Sequence, residues 1–253
     1  MTLIPLSQVG SLVVRLVATD MDGTLTIADK FTPVLLQALE TLSAKGIKVV
    51  IVTGRSAGWV SGLAHYLPIA GAIAENGGIY YPTHSEQPSW LVTIPDIGQH
   101  RQRLAEAFSK LQADFPQLQE SIDNRFRLTD WTFDLGGLSP AELQAISDRC
   151  QAWGWGFTYS TVQCHIKLPQ QSKAAGLQQV LAQWFADCPV DQVVTVGDSP
   201  NDESLFDANL FPVSVGVANI HHYRDRLTHL PTYVTIAPEG HGFCELSQQV
   251  LNS

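Results

Sequence analysis

The sequence contains few basic residues and no long apolar run. Fifteen Lys and Arg stand against 24 Asp and Glu, which gives a net charge of −9. Binding to a nucleic-acid backbone needs the opposite sign, so we expect no nucleic-acid partner. No run of about 18 apolar residues is present, and the first residues lack the basic start and long apolar middle of a secretory signal. We therefore expect a cytoplasmic protein with no membrane partner.

Cysteines are also scarce. The chain has four of them, Cys150, Cys164, Cys188 and Cys244. They lie far apart and form no C-x-x-C pair, so we expect ordinary reduced thiols and neither a zinc site nor a disulfide framework. By contrast, 45% of the 253 residues are hydrophobic. That is enough for one large domain, or for one domain that carries a smaller insert.

Strand and helix patterns alternate near both ends of the chain. Residues 13–19 are mostly apolar and β-branched, as in a central parallel strand that is covered on both faces. A helix follows, with Thr32 and Pro33 at its start and Gly46 at its end. The alternation predicts an α/β fold whose core is a doubly wound, parallel, Rossmann-like sheet.

The middle of the chain has a different pattern. Predicted strands at "WLVTI", "FRLTDWTFDL" and "WGFTYS" alternate apolar and polar residues, which is typical of a sheet with one solvated face. Two predicted helices separate these strands. We therefore predict a core domain from residues 1–82 and 163–253, with an inserted α+β domain over residues 83–162.

Acidic side chains follow the predicted central strands. In "RLVATDMDGTLT" Asp20 and Asp22 come directly after the first strand, and in "VTVGDSPND" Asp198 and Asp202 follow a later one. The carboxyl ends of parallel strands meet at one edge of a sheet, so we expect these acids to converge there with Thr53 of "VTGR". Clustered carboxylates repel one another, and hard oxygen ligands in small number suit Mg²⁺. The sequence therefore predicts a Mg²⁺ site shared with a substrate phosphate.

A metal beside a carboxylate suggests phosphoryl transfer, because Asp can attack phosphorus to give an aspartyl-phosphate. Lys173 supports this interpretation. Ser172 is expected to cap a helix, which places Lys173 in the first turn, where the helix dipole disfavours a cation. An anion from outside the helix would compensate for that charge. Gly23 would allow backbone amides to approach phosphate oxygens.

Four segments resemble the motifs of the haloacid dehalogenase-like (HAD) phosphatases. They are "DMDGT", "VTGR", the lysine that opens a later helix, and "GDSPND". The segments occur in the order found in that family, and the insert lies where its C2-type caps are found. The layout of the insert resembles the C2B caps of sucrose-phosphate, trehalose-phosphate and mannosyl-3-phosphoglycerate phosphatases. The resemblance implies a HAD core with an inserted C2-type cap domain.

The resemblance also implies catalytic roles for individual residues. Asp20 would be the nucleophile. Asp22 would protonate the leaving alcohol and later activate water. Thr53 would donate a hydrogen bond to the phosphate, and Lys173 would neutralise Asp20 and the phosphoryl oxygens.

The same resemblance implies a set of metal ligands. They would be Asp20, the backbone carbonyl of Asp22, Asp198, and Asp202 either directly or through water. Asn201 would orient the phosphate or a metal-bound water.

Several of these residues also have plain structural interpretations. Asp20 and Asp22 could be ordinary turn acids, and Asp202 could complete a capping box that begins at Ser199. Asn76 could serve only the tight hairpin turn that is predicted in "GAIAENGGIYY".

Further residues are candidates for contact with the substrate. On the core side they are Gly54, Arg55 and Asn76, and on the strand that returns from the cap they are His165 and Lys167. Arg125 and Arg127 on a cap strand are weaker candidates. We assign no role to His221, His222 and His241, and we expect most of Trp131, Trp153 and Trp155 to be buried in the cap.

The function that follows is a Mg²⁺-dependent phosphomonoester hydrolase that acts through an aspartyl-phosphate. A sugar phosphate is the expected substrate class, on the resemblance of the cap. A phosphomutase similar to phosphomannomutase is one alternative, and a sugar-phosphate-binding protein without turnover is another. A P-loop kinase or GTPase is excluded, because no G-x-x-x-x-G-K-[ST] is present.

Overall fold

The computed structural model describes residues 3–83, 85 and 87–252. Residues 1–2 and 253 of the predicted core domain, and residues 84 and 86 of the predicted insert, lie outside the described residues. The strands are β1 Ile4–Pro5, β2 Leu16–Thr19, β3 Lys48–Val52, β4 Gly71–Ala74, β5 Ile79–Pro82, β6 Ser89–Trp90, β7 Trp131–Asp134, β8 Gly156–Tyr159, β9 Gln163–Lys167, β10 Val193–Gly197, β11 Val213–Gly216 and β12 Tyr233–Val234.

Six α-helices connect these strands. They are α1 Pro33–Ala44, α2 Ala57–Tyr66, α3 Ile97–Asp114, α4 Pro140–Ala152, α5 Lys173–Trp184 and α6 Glu239–Leu251. Within the described residues, no helix is both long enough and apolar enough to cross a membrane.

Nine strands form a large sheet in the order β1-β12-β11-β10-β2-β3-β4-β5-β6. The strands from β1 to β4 in that order run parallel, and β5 and β6 extend the sheet antiparallel. Helices α1, α2 and α6 pack on one face, and α5 packs on the other. Every residue of β2 and β10 is buried between these layers, which explains their apolar composition. The predicted doubly wound parallel sheet is confirmed.

The remaining three strands form a small antiparallel sheet in the order β7-β9-β8. Helices α3 and α4 pack on it around a separate apolar core, and we call this unit the cap. The core of the cap contains the buried residues Cys150 and Cys164, whereas Cys188 and Cys244 lie outside it. All four cysteines are free thiols, as the sequence indicated.

The predicted limits of the insert need correction at both ends. β9 was expected to return to the core domain after residue 162, but it is the central strand of the small sheet and pairs with both β7 and β8. At the other end, β6 within "WLVTI" pairs with β5 in the large sheet. We therefore propose that the cap lies between the end of β6 and the end of β9.

The predicted long strand "FRLTDWTFDL" is also shorter than expected. Only β7 pairs with a neighbouring strand, and Ile122–Phe126 forms a 3₁₀ turn instead. The amides of Leu128 and Thr129 donate to the side chain of Glu75 rather than to a β-ladder. The segment between the 3₁₀ turn and β7 is therefore an ordered loop that faces the core domain.

Candidate active site

Three strands of the large sheet end at one point. Asp20 follows β2, Thr53 follows β3 and Asp198 follows β10. Oxygen atoms of Asp20, Asp198 and Asp202 all lie within 4.8 Å of one another. All three acids are buried, so their mutual repulsion is only weakly screened by water. The convergence predicted from the strand ends is present.

Lys173 lies in the middle of these acids. Its Nζ donates to Asp20 Oδ1 at 2.5 Å and to Asp202 Oδ1 at 2.6 Å. Ser172 caps helix α5 by accepting a hydrogen bond from Ala175 N, so the lysine occupies the first turn as predicted. Burial alone would lower the pKa of Lys173, but the two carboxylates outweigh it and raise this pKa. Lys173 is therefore a permanent positive charge in the site.

The acids retain an excess of negative charge even with this lysine. Burial raises the pKa of Asp20 to about 7 although Lys173 acts to lower it. Burial, together with Asp20 and Asp202, also raises the pKa of Asp198 well above its usual value. A hard divalent cation fits this set of buried oxygen donors, because it would favour the ionised form of each acid.

Asp202 combines two structural roles. Its Oδ2 accepts from the backbone amides of Asp198 and Ser199, at 2.9 and 3.1 Å. Ser199 and Asp202 also form a capping box at the start of Pro200–Phe206, a 3₁₀ helix. Both oxygens of Asp202 therefore have protein partners, and the acid fixes Lys173 and the Asp198 loop in place.

Asp22 lies beside Asp20 at the rim of the site. Arg55 binds it through two hydrogen bonds, from Nε at 2.8 Å and from Nη2 at 2.7 Å. The guanidinium also lies over the ring of Trp59, 4.8 Å from its centroid. The partner of Arg55 in this structure is thus Asp22, although the sequence suggested a contact with substrate.

A buried donor without a partner points into the site from the hairpin between β4 and β5. Asn76 Nδ2 is buried and has no hydrogen-bond partner among the described residues. Asn76 Oδ1 accepts from Asn201 Nδ2 at 3.2 Å, which links the hairpin to the Asp198 loop. Asn76 has a φ of 52°, in the left-handed region that Asn tolerates. An unpartnered buried N–H is costly, so this amide is suited to an anionic ligand.

Comparison with known proteins identifies this arrangement. A profile of the haloacid dehalogenase-like hydrolases matches residues 17–95. A phosphoglycolate phosphatase of Natronomonas pharaonis is 30% identical over 208 residues, which cover 81% of this chain and 85% of the relative. The chain belongs to the haloacid dehalogenase-like hydrolases. Phosphoglycolate phosphatase 1 of Saccharolobus solfataricus is 28% identical over 94% of this chain and 96% of its own length.

Solved structures share the fold of this HAD hydrolase. A protein from Thermoplasma acidophilum has a TM-score of 0.74 at 19% identity, covering 95% of this chain and 99% of that one. The sucrose-phosphatase of Synechocystis, solved with sucrose and phosphate, has a TM-score of 0.68 at 17% identity, covering 94% and 98%. The predicted fold class is confirmed by these likenesses. Family membership and the phosphatase relatives also confirm that this HAD hydrolase is a phosphatase.

The cap of this HAD phosphatase lies directly over the acids. A cavity of about 10 Å³ remains between the two domains, with Asp20, Asp22 and Thr53 on the core side and Gln163 and His165 on the cap side. This volume is close to that of one water molecule. The structure therefore represents a closed state.

Two other predicted residues line this region from either domain. A methyl group on Gly54 would lie 3.0 Å from the His165 ring and 3.2 Å from Asn76 Nδ2, so only glycine allows this approach. Lys167 lines a neighbouring cavity of about 620 Å³ together with Lys173. Its ammonium group donates to the carbonyl of Gln171, and burial lowers the pKa of Lys167 to about 8.

The two cap arginines have different surroundings. Arg127 is fully buried and binds Asp123, Asp130 and the carbonyl of Gly54. Arg125 is exposed, and its guanidinium lies over the ring of Phe126 rather than in the cleft. The expected contact of Arg125 with substrate is therefore wrong, because the 3₁₀ turn directs this side chain to solvent. The tryptophans Trp131, Trp153 and Trp155 pack in the core of the cap, as expected.

Sequence reasoning missed Asn219. Its Nδ2 donates to Asp198 Oδ2 at 2.8 Å and to the carbonyl of Gly23 at 3.0 Å, while its Oδ1 accepts from the amide of Glu239. Asn219 thus fixes both the metal-site acid and the loop that follows Asp20. The signal was available, since Asn219 follows β11 at the same edge of the sheet.

Glu75 was also missed. Its buried carboxylate accepts from the amide of Ala57 in the core, and from the amides of Leu128 and Thr129 and the hydroxyl of Thr129 in the cap. Burial raises the pKa of Glu75 even though these donors act to lower it. No local pattern marks this residue, because its cap partners lie more than 50 positions away.

Proposed function

We propose that this HAD phosphatase hydrolyses a small phosphomonoester through a phospho-Asp20 intermediate, with Mg²⁺ as its cofactor. The observation that carries the proposal is the position of Lys173 between Asp20 and Asp202, with Asp198 beside them at the same strand edge. A lysine that neutralises a carboxylate and leaves its second oxygen available prepares that oxygen for attack on phosphorus.

Asp20 would attack phosphorus as the bond from phosphorus to the leaving oxygen breaks, and Asp22 would give its proton to that oxygen. Asp22 would then remove a proton from water as the water attacks phosphorus. The bond between phosphorus and Asp20 breaks in this second step, which releases inorganic phosphate and restores both acids. The ion pair with Arg55 would hold the Asp22 carboxylate at the rim, where the leaving oxygen departs.

Mg²⁺ would be held by Asp20, Asp198 and the carbonyl of Asp22, with Asp202 acting through water because both of its oxygens have protein partners. When bound, it would neutralise charge on the phosphoryl oxygens. The other phosphate contacts would come from Asn76 Nδ2, which has no partner, and from the hydroxyl of Thr53.

The closed site favours a small leaving group. The cavity between the cap and the acids holds only about 10 Å³ in this state. Both sequence relatives described above are named phosphoglycolate phosphatases, and glycolate is among the smallest leaving groups that a phosphomonoester can have. We therefore place small phosphorylated hydroxy acids first.

A sugar phosphate, the class expected from the sequence, is the second candidate. The observation that favours it is the cavity of about 620 Å³ beside Lys173, into which Phe157 and Lys167 of the cap project. A cap that opened toward this side could accommodate a sugar ring, and an aromatic face such as Phe157 suits such a ring.

The test is phosphate release from a panel that contains 2-phosphoglycolate, several hexose phosphates and p-nitrophenyl phosphate, with Mg²⁺ and with chelator. We expect release that requires the metal and is fastest with 2-phosphoglycolate. A faster hexose phosphate would establish the second candidate instead. Transfer of phosphate between positions on a sugar without release would identify a phosphomutase. Binding of a sugar phosphate without turnover would identify a sensor.

A further inference from the structure

One imidazole of the cap reaches the small cavity over the acids. His165 lies on β9, the central strand of the small sheet, and only 1% of the residue is exposed. Its Nδ1 is 2.8 Å from Asp130 Oδ2, and Asp130 in turn accepts two hydrogen bonds from Arg127 Nη1. The ring is therefore held in one orientation by a buried network.

The network determines which ring nitrogen is available. The guanidinium of Arg127 outweighs burial and holds the pKa of Asp130 below its usual value, so the carboxylate is an ionised acceptor. An ionised acceptor fixes the proton on Nδ1 of His165. The opposite nitrogen, Nε2, then faces the core, where a methyl group on Gly54 would lie 3.1 Å from it.

Nε2 lies beside the unpartnered donor of the core. The same methyl position on Gly54 is 3.2 Å from Asn76 Nδ2, so the imidazole of the cap and the amide of the core approach each other over a single glycine. Both are buried, and Asp20 and Asp22 border the cavity that His165 lines. An oxygen atom of a bound molecule placed there would contact both domains at once.

The charge of the network favours a cation at His165. Asp123 and Asp130 together carry two negative charges, and Arg127 supplies one positive charge. An imidazolium would balance the remaining charge, with Asp130 behind the ring and an anionic oxygen in front of it.

The other cationic side chains around the cleft already have partners. Arg55 binds Asp22, Arg127 binds two acids, and Lys167 donates to the carbonyl of Gln171. His165 is therefore the cap residue best placed to receive a negatively charged leaving group.

We propose that His165 is the specificity-determining residue of this phosphatase, and that its Nε2 donates a hydrogen bond to the carboxylate of a small phosphorylated acid. This inference rests on the proposed phosphatase function and adds the residue that selects the substrate. Asp130 and Arg127 are positioning residues, because they act on the substrate through the ring of His165.

Two variants separate the two ring nitrogens. In His165→Asn the amide can replace Nδ1 and keep the bond to Asp130, but nothing occupies the Nε2 position. In His165→Gln the amide reaches the Nε2 position and loses the bond to Asp130. Each variant is compared with wild type on 2-phosphoglycolate and on ethyl phosphate, which has a neutral leaving group of similar size.

For His165→Asn we expect kcat/KM for 2-phosphoglycolate to fall by about 10-fold or more relative to that for ethyl phosphate, as loss of a charged hydrogen bond predicts. The loss should appear mainly in KM. His165→Gln should retain part of the preference for the acid. Thermal midpoints should show that both variants are folded.

His100→Gln is the matched control. His100 is also a buried histidine of the cap, and its Nε2 bonds to the carbonyl of Thr129. We expect its preference between the two substrates to equal that of wild type. An equal loss on both substrates in His165→Asn would overturn the proposal and make His165 structural.

A wild-type enzyme that hydrolyses both esters without preferring the acid would also overturn the role of His165, while the phosphatase function would stand. Absence of phosphate release from every ester, including p-nitrophenyl phosphate, would overturn the proposed function itself and this inference with it.

Discussion

Asp20 is poised between its protonated and ionised forms at neutral pH. Burial raises its pKa to about 7, against the influence of Lys173. A buried acid of this kind contributes little to stability as an anion, since its charge is desolvated. Its retention at the end of β2 is therefore better explained by chemistry than by folding.

Replacement of this acid gives the first prediction. Asp20→Asn should reduce phosphate release by at least about 10³-fold, because an amide cannot attack phosphorus. The thermal midpoint should not fall, because the amide is nearly isosteric and carries no charge to desolvate. Turnover and melting curves check the two halves separately, and retained turnover would remove Asp20 from the role of nucleophile.

A control for this variant is available on the surface. Asp187 is an exposed acid that pairs with Arg15. Asp187→Asn changes the same functional group but lies far from the acids of the site in the fold. We expect wild-type turnover from it.

At this scale the sequence identified the residues that follow strand ends. Asp20, Asp198 and Lys173 could be predicted because each follows from a local rule about strands or helix caps. Asn219 obeys the same rule and was overlooked. Glu75 could not be found, because its role depends on backbone amides of the cap that no local pattern places near it.

At the scale of elements, the hairpin between β4 and β5 positions the helix that carries Lys173. Gly77 in this turn has a φ of +99°, and a methyl group there would lie 2.0 Å from the carbonyl oxygen of Ser172. Gly176 of α5 packs against Gly77 from the other side. Contact between the turn and the first residues of α5 therefore sets the position of the lysine.

Gly77→Ala tests this dependence. We expect unfolding to become easier by about 1–3 kcal/mol, because the turn conformation disfavours a side chain. Turnover should fall as well, because the clash with Ser172 displaces the start of α5. Urea unfolding and phosphate release provide the two measurements.

Gly62→Ala is the matched substitution. Gly62 lies within α2, and nothing is within 4 Å of the position of its added methyl group. It should be neutral or stabilise the protein by up to about 1 kcal/mol, as expected for Ala in place of Gly in a helix. Loss of activity in this variant would show that such changes act non-specifically.

The predicted elements were most accurate where hydrophobic pattern and caps agree. Thr32, Pro33 and Gly46 delimit α1 in the structure as they do in the sequence. The pattern failed in "FRLTDWTFDL", where alternating apolar and polar residues suggested a strand. Arg127 and Asp130 form buried ion pairs there, and long-range partners of this kind are invisible to a periodicity of two.

At the scale of the whole molecule, polar contacts of few residues close the cap on the core. The carboxylate of Glu75 accepts from both domains, and Arg127 donates to the carbonyl of Gly54. These contacts are buried, so they are sensitive to the loss of one acceptor. Closure thus depends on specific hydrogen bonds as well as on apolar area.

Glu75→Gln should therefore loosen the cap. The amide would turn an N–H toward the donors of Leu128 and Thr129, which we expect to cost about 1–3 kcal/mol. Faster hydrogen exchange of these two amides would localise the effect, and urea unfolding would measure its size. Glu142→Gln, at an exposed capping box on α4, should leave both amides unchanged.

Binding of a divalent cation should depend on pH. The raised pKa values of Asp20 and Asp198 mean that protons compete with the metal below neutral pH. We expect Mg²⁺ to raise the thermal midpoint more at about one pH unit above neutrality than at about one unit below it. Chelator should abolish turnover of the wild type.

Asp198→Asn provides the comparison for the metal. Removal of one acid from the cluster should reduce the effect of Mg²⁺ on the thermal midpoint at both pH values. An unchanged effect would place the bound cation elsewhere.

The separate interior of the cap has one further consequence. Cys150 and Cys164 are enclosed there, and burial raises the pKa of Cys150 to about 12, whereas Cys188 and Cys244 are partly exposed. Thiolates are the reactive species, so the enclosed pair can react with a thiol reagent only when the cap transiently unfolds. The native chain thus contains its own reporter of cap breathing. Slow labelling would time the local opening of that domain, and fast labelling would monitor the rest of the fold.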